Sequence, residues 1–139
     1  NGVYGRIKPG YQMLEFIHSG VQEARSIGRR DIGQAIVILN DDIIGIEDAR
    51  GTDDLITRCC NKTSNGVGPI LIKAKKPNQD RRVDLPTIGV RTVQLAAECG
   101  FAGVVVEAGQ TLVIDISNVT SIANRNGLFV MGIKLRDGE

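Results

Sequence analysis

Six short, largely apolar runs constrain this chain more than anything else in it. They are Ile36-Val37-Ile38-Leu39, Ile43-Ile44-Gly45-Ile46, Ile70-Leu71-Ile72, Gly103-Val104-Val105-Val106, Thr111-Leu112-Val113-Ile114 and Leu128-Phe129-Val130-Met131. Their β-branched content and brevity make each a strand. The first two are joined by Asn40-Asp41-Asp42, so they read as a hairpin. One stretch of helical period precedes the hairpin and others follow, while Thr111-Leu112-Val113-Ile114 comes directly after Gly103-Val104-Val105-Val106 as a strand pair. Leu14, Ile17, Val21 and Ala24 define one face of a helix that opens at Tyr11 and stops at Gly28. Leu55-Ile56 and Cys59-Cys60 keep helical register after Gly51. Ile88, Thr92, Leu95 and Cys99 form a third stripe, with Thr87 as its cap and Gly100 as its stop. Val119, Ile122 and Ala123 form a fourth, capped by Asp115 or Ser117 and ended at Asn126-Gly127. The order predicts an α/β or α+β fold: a single domain whose mixed sheet is flanked by three to four helices. Residues 1–10, with three glycines and Pro9, read as an arm or linker remnant, 11–135 as the folded domain, and 136–139 as a frayed tail.

Between the third strand and the third helix lies the segment most suited to chemistry. From Lys73 to Gly89 the chain carries the cations Lys73, Lys75, Lys76, Arg81 and Arg82 and the carboxylates Asp80 and Asp84. Pro77 and Pro86 exclude a regular helix or a central strand there, so the segment is a loop held between rigid elements. Cations of this density suit phosphates, and aspartates among them suit a divalent cation or a positioned water. A solvated loop with surface ion pairs is the alternative. Gly51-Thr52-Asp53 is a second candidate. A glycine and a hydroxyl residue at a helix start present backbone N–H groups to an anion, or Thr52 simply caps the helix while Asp53 and Asp54 favour its positive end. Glu47 and Glu107 stand at predicted strand ends, where a folded sheet would bring them toward the same region.

Composition excludes several classes. Seventeen basic and sixteen acidic residues leave a net charge of +1, so no global field attracts nucleic acid or an anionic membrane. Aromatic residues are 4% of the chain and tryptophan is absent, which argues against a base-stacking surface. No apolar run approaches the length of a bilayer span, and no signal peptide is evident. The start at Asn1 without methionine reads as a fragment or processed chain. Cys59, Cys60 and Cys99 lack zinc-ligand spacing and are odd in number, so reduced, packed thiols are expected. The lone His18 lies off the apolar face of its helix and reads as a surface residue. Dinucleotide, P-loop and serine-elbow signatures are absent.

Asp31-Ile32-Gly33-Gln34-Ala35, Gly51-Thr52-Asp53, Lys76-Pro77-Asn78-Gln79-Asp80-Arg81-Arg82-Val83-Asp84-Leu85-Pro86-Thr87-Ile88-Gly89 and Val106-Glu107-Ala108-Gly109 follow one another in an order and spacing that resembles the carboxy-terminal domain of the LpxI-type UDP-2,3-diacylglucosamine pyrophosphatases. The resemblance runs from about Gly20 to Gly132, and the long central motif is its specific part. Arg50, where the family more often has an acid, and Val90, where a proline is common, depart from the pattern. The resemblance implies Mg²⁺- or Mn²⁺-assisted cleavage of UDP-2,3-diacylglucosamine to 2,3-diacylglucosamine 1-phosphate and UMP, a step of lipid A synthesis in Gram-negative bacteria. It implies Asp80 and Asp84 as catalytic carboxylates and metal ligands. Glu107 would be a third ligand or a structural residue, and the alternative role for Asp84 is to cap the following helix. Lys76, Gln79, Arg81, Arg82, Gly51, Thr52, Asp53 and Thr87 would contact substrate. The partners implied are an amino-terminal domain of the same enzyme, the nucleotide-sugar lipid substrate and, transiently, the inner-membrane surface, with no nucleic acid. A cytoplasmic location, peripheral to that membrane, follows. A homo-oligomer is admitted and not required. The competing reading is a non-catalytic module that binds a nucleotide-sugar or lipid phosphate.

Overall fold

The computed structural model describes residues 2–29, 35–74, 87–107, 112–113 and 115–133. Its elements in chain order are β1 (Gly2–Val3), α1 (Tyr11–Arg29), β2 (Ala35–Leu39), β3 (Asp42–Ile46), α2 (Thr52–Arg58), β4 (Ile70–Lys73), β5 (Thr87–Ile88), α3 (Val90–Glu98), β6 (Gly103–Glu107), β7 (Leu112–Val113), α4 (Ile116–Asn126) and β8 (Phe129–Ile133). Six strands make one mixed sheet in the order β1-β8-β6-β4-β2-β3, and β5 and β7 make a small second sheet. The α/β expectation is met, with four helices among the described residues.

The centre of the large sheet is parallel: β4 pairs with β6 and β6 with β8. The chain steps from β4 through α3 to β6, then through α4 to β8, advancing across the sheet in one direction. Right-handed crossovers taken in one direction place their helices on one face. That is the observed arrangement. Val37, Leu71, Val104, Val106 and Val130 pack with α2, α3 and α4, whereas Ile36, Ile38, Ile70, Ile72, Val105, Phe129 and Met131 pack under α1. The runs in β2, β4, β6 and β8 are apolar because alternate residues meet a core on each face. Ile17, Val21 and Ala24 of α1 are buried as the periodicity predicts. Gly20 lies between them, and a Cβ there would run into Ile72 and Ile38, so glycine is what lets the helix backbone rest on β2 and β4.

The remaining expectations are met unevenly. The hairpin forms, with β2 and β3 antiparallel and Asn40 at positive φ in the turn. The amino-terminal arm is docked: Gly2 and Val3 pair with Gly132 and Met131, the Tyr4 N–H donates to the Val130 carbonyl, and the Arg6 N–H donates to Asn124 Oδ1. The first helix passes Gly28 by one residue. The third helix starts later than its stripe suggested. Ile88 lies in β5, Gly89 occupies the N-cap, and the face turned to the core is Val93 and Ala96. Thr87 is therefore a strand residue, not the cap. Leu112 and Val113 do not extend the large sheet beside β6 but pair in parallel with Thr87 and Ile88. The expectation of three reduced thiols is also corrected. Cys60 and Cys99 form a disulfide between the carboxyl ends of α2 and α3, and only Cys59 is free, buried, with burial raising its thiol pKa. His18 is exposed, as expected.

Candidate active site at the carboxyl edge of the sheet

In open α/β sheets, ligands gather beyond the carboxyl ends of the parallel strands. Here that edge is marked by Lys73 at the end of β4, Glu107 at the end of β6 and Ile133 at the end of β8. The antiparallel β2 begins there, with Ala35 opposite Lys73, and the Glu47 N–H donates to the Ala35 carbonyl at 2.9 Å. Three segments outside the described residues, 30–34, 75–86 and 108–111, adjoin this edge in the chain. The small β5–β7 sheet ties the return of the second to that of the third. The described residues on either side of the charged 75–86 segment are Ala74, which follows β4, and Thr87, which opens β5.

Alternation along the strands divides the edge between two faces. Val106 belongs to the α2–α3–α4 core, and Val105 and Ile133 to the α1 core. Glu107, one residue on from Val106, turns toward α1, where its Oε1 lies 3.2 Å from Arg25 Nε. Glu107 is 4% exposed, the one charged residue in the buried set among the described residues. Lys73 alternates with Ile72 and turns toward α2. Its Nζ donates to Thr52 Oγ1 at 3.3 Å, and the Thr52 hydroxyl in turn donates to Glu47 Oε1. Burial lowers the Lys73 pKa, against the opposing attraction of Glu47 and then Asp53. Thr52 is the first helical residue rather than the cap. Gly51 holds the N-cap position at φ 91°, a backbone that favours glycine, and no side chain caps the helix. The capping expectation for Thr52 fails because Glu47 and Lys73 engage its hydroxyl.

The start of α2 is further braced by charge. Asp53 pairs with Arg91 of α3 at 3.1 Å across a cleft of about 440 Å³ that Thr57, Gln94, Leu95 and Glu98 also line. Arg50, the departure from the family pattern, bonds Asp48 and lies 3.4 Å from Asp54, while Arg58 bonds Asp54 at 2.8 Å. The hydrogen bonds from Arg50 hold the Asp48 carboxyl down at about 2. Arg50 therefore finds acidic partners on the surface and does not disturb the Glu47–Thr52 contact.

With this geometry in place, the relatives become informative. The model of the LpxI C-terminal domain matches residues 1–131. The chain belongs to the LpxI C-terminal domain family. It is 40% identical, over 95% of its length, to the UDP-2,3-diacylglucosamine pyrophosphatase LpxI of Caulobacter vibrioides. It spans about half the length of that curated relative, covering 49% of it.

Within this LpxI domain, the structure brings Gly51, Thr52 and Asp53 together with Glu47 and Lys73 on one face of the edge and places Glu107 on the other. Asp80, Asp84, Lys76, Gln79, Arg81 and Arg82 lie outside the described residues, as does the side chain of Thr87. Among the described residues no group of three or more His, Cys, Asp or Glu side chains is placed to hold a metal ion. No described helix is long and apolar enough to cross a membrane. Sequence reasoning noted Lys73 only as one cation in a run and passed over Arg25 and Arg91. The signal available for Lys73 was its place as the last residue of a buried strand, where a charge requires a partner.

Proposed function

We propose that the full-length protein containing this domain hydrolyses the pyrophosphate bond of UDP-2,3-diacylglucosamine, releasing 2,3-diacylglucosamine 1-phosphate and UMP for lipid A synthesis. The observation that carries the reading is the match to LpxI along almost the whole chain, including the 76–89 motif. The fold supports it, since the motif leaves the carboxyl end of the central strand β4 and returns through β5 into α3. In this reading Lys76, Arg81 and Arg82 grip the pyrophosphate and offset charge that develops as the anhydride breaks. Asp80 orients the attacking water, with Asp84 beside it. Gly51, Thr52 and Asp53 would add contacts to the substrate from the start of α2.

The reading includes a divalent cation, Mg²⁺ or Mn²⁺, because the carboxylates available are hard oxygen donors. Asp80 and Asp84 would be its ligands, and when bound the ion would neutralise phosphate charge. The described residues alone form no cage for it, and Glu107 faces Arg25 on the opposite side of the sheet from Thr52 and Lys73. The substrate would meet the domain at an inner-membrane surface and be enclosed by a further domain of the same chain.

Asp80→Asn in the full-length protein is the test. Turnover of UDP-2,3-diacylglucosamine should fall by several orders of magnitude while the substrate still binds, because the change removes charge and spares shape. Near-normal turnover by a folded Asp80→Asn protein would take Asp80 out of the reaction. Substrate binding without turnover by the wild-type protein, with Mg²⁺ or Mn²⁺ supplied, would favour the non-catalytic binding module.

A further inference from the structure

Helices α2 and α3 run side by side in the same direction, and among the described residues two side-chain ties join them, one near each end. Near the amino ends Asp53 pairs with Arg91 at 3.1 Å. Just past the carboxyl ends Cys60 is bonded to Cys99. Between the ties lies the cleft of about 440 Å³, which reaches from Asp53 and Arg91 to Thr57 and Glu98. The ties are unequal. The Arg91 side chain is 90% exposed, and an ion pair so exposed holds little. The disulfide is covalent and closes a sequence separation of 39 residues, so it is the stronger tie. Of the two helices α2 is the looser in its connections. It has seven residues, follows β3 after residues 47–51 and precedes β4 by residues 59–69. α3 leaves β5 through Gly89 alone and reaches β6 by residues 99–102, where Gly100 takes φ 77° and the Phe101 N–H donates to the Ala96 carbonyl at 3.0 Å. Two other restraints on α2 do not depend on the disulfide: the Asn61 N–H donates to the Cys99 carbonyl at 2.8 Å, and Leu55 and Ile56 are buried in the core. Opening the bond therefore loosens α2 without unfolding the domain.

We propose that the Cys60–Cys99 bond is a redox latch, opened by dithiols and closed by small disulfides, that sets how firmly the start of α2 is held. Cys60 is half-buried and Cys99 is 4% exposed, so Cys60 Sγ is the sulfur that an external thiolate reaches. Cys59 takes no part. It is 1% exposed, and a Cβ on Gly45 of β3 would lie 2.9 Å from its Sγ, so that thiol is packed against β3. In the opening step a thiolate of the dithiol attacks Cys60 Sγ, the sulfur–sulfur bond breaks, and the electron pair leaves on Cys99 Sγ, which takes up a proton. The second thiol of the reductant then displaces Cys60. The protein gains two thiols and the dithiol becomes a disulfide. Closing is the reverse exchange, with a disulfide such as oxidised glutathione as the oxidant. The bond stays closed in an oxidising compartment and opens in a reducing one. Gly51 caps α2, and Thr52 and Asp53 begin it, so loosening the helix weakens the substrate contacts proposed for them. That consequence for turnover rests on the pyrophosphatase reading; the latch itself does not.

Two measurements on the full-length protein decide it. The first needs no substitution. The wild-type protein is compared oxidised and after dithiothreitol. Alkylation by iodoacetamide with mass spectrometry counts the thiols at Cys60 and Cys99, and hydrogen exchange follows the amides of α2 and of β6. Reduction should leave the protein folded, lower its Tm by about 10 °C and speed exchange in α2 about tenfold more than in β6. Oxidised glutathione should restore the starting state. A bond that dithiothreitol opens only on global unfolding overturns the proposal. So does α2 exchange that is the same in both states.

In the second, kcat and KM for UDP-2,3-diacylglucosamine are compared with and without dithiothreitol for wild type, Cys60→Ser and Cys59→Ala. Reduction of the wild type should raise KM and lower kcat/KM about tenfold. Cys60→Ser should match the reduced wild type and ignore dithiothreitol, and Cys59→Ala should keep the wild-type response. Equal kcat/KM in the two wild-type states overturns the control of the site. A Cys60→Ser protein that still responds, or a Cys59→Ala protein that does not, overturns the assignment of the latch to Cys60 and Cys99. A wild-type protein inactive in both states, with α2 exchange still altered by reduction, would remove the pyrophosphatase reading and leave the latch standing.

Discussion

The Arg25–Glu107 pair offers a quantitative way to separate a structural carboxylate from a metal-binding one. The two side chains are unequally buried: 27% of the Arg25 side chain is exposed, against 5% of Glu107. Removing one member of a buried ion pair costs about 3–5 kcal/mol when the other stays desolvated. Arg25→Met leaves Glu107 in its buried position without the guanidinium, so the full range of about 3–5 kcal/mol applies. Glu107→Gln leaves an arginine whose long stem can carry its head toward water, which reduces the cost to about 2–3 kcal/mol. For 139 residues, at about 2.1 cal/mol/K per residue, the entropy of unfolding is roughly 0.3 kcal/mol/K. The expected falls in Tm are then about 10–17 °C for Arg25→Met and about 7–10 °C for Glu107→Gln. The double variant Arg25→Met/Glu107→Leu removes both charges and should recover most of the loss. Thermal unfolding of the domain measures all three. Equal losses for the two single variants, or a double variant less stable than both, would refute the assignment of the pair as the dominant interaction. Activity of the double variant in the full-length protein answers the second question. A stable protein that still turns over substrate makes Glu107 structural, and a stable inactive one makes it a ligand.

Two further outcomes follow from the proposed chemistry. Activity of the full-length protein should vanish on exhaustive chelation and return with Mg²⁺ or Mn²⁺, since the candidate ligands are carboxylates; full activity after chelation counts against a metal. Replacing Arg81 and Arg82 by alanine should raise KM and lower kcat. Lysine should restore either only in part, because an ammonium cannot grip a phosphate with two parallel bonds; unchanged kinetics would make these arginines surface groups.

What could be read from the sequence was set by how local its cause is. The strands β2, β4, β6 and β8 were legible because burial on both faces leaves an unbroken apolar run, and α1 because its one core-facing stripe repeats over nineteen residues. The two-residue β5 and β7 were not, because each exists by pairing with the other across the fold, and Leu112-Val113 alone looks like an extension of β6. The start of α3 was misplaced because Ile88 is buried from a strand and happens to continue the helical spacing. The Cys60–Cys99 bond spans 39 residues and depends on two helices ending together, which no spacing rule encodes. At the site, the sequence supplied the residue types but not the face on which each falls. Glu47 and Glu107 both end strands, yet alternation sends Glu107 to α1, while Glu47 meets the hydroxyl of Thr52 on α2. The cap assigned to Thr52 failed for the same reason: a propensity describes the local chain, and a carboxylate five residues earlier outbid it.

The division of the edge also bears on how much of the active site one domain holds. The domain has a core on each face of its sheet and a docked amino-terminal strand, so the isolated chain is expected to fold by itself. Catalysis is a different requirement. The proposed substrate joins two acyl chains to a nucleotide, and ligands so divided bind between domains more readily than on one. The cleft beside Asp53 and Arg91 is also lined by Asp54, Thr57, Gln94, Leu95 and Glu98, of which Leu95 alone is an apolar residue. Enclosure would exclude water and fix the anhydride against the 75–86 segment, and a displacement of about 1 Å in such a site costs on the order of 10²-fold. The isolated domain should therefore melt cooperatively yet show kcat/KM for UDP-2,3-diacylglucosamine reduced by about that factor or more relative to the full-length protein. Assays at equal protein concentration, with melting curves run in parallel, test both halves. A folded domain with kcat/KM comparable to the full-length protein would place the entire site on residues 1–139 and end the argument for a shared cleft.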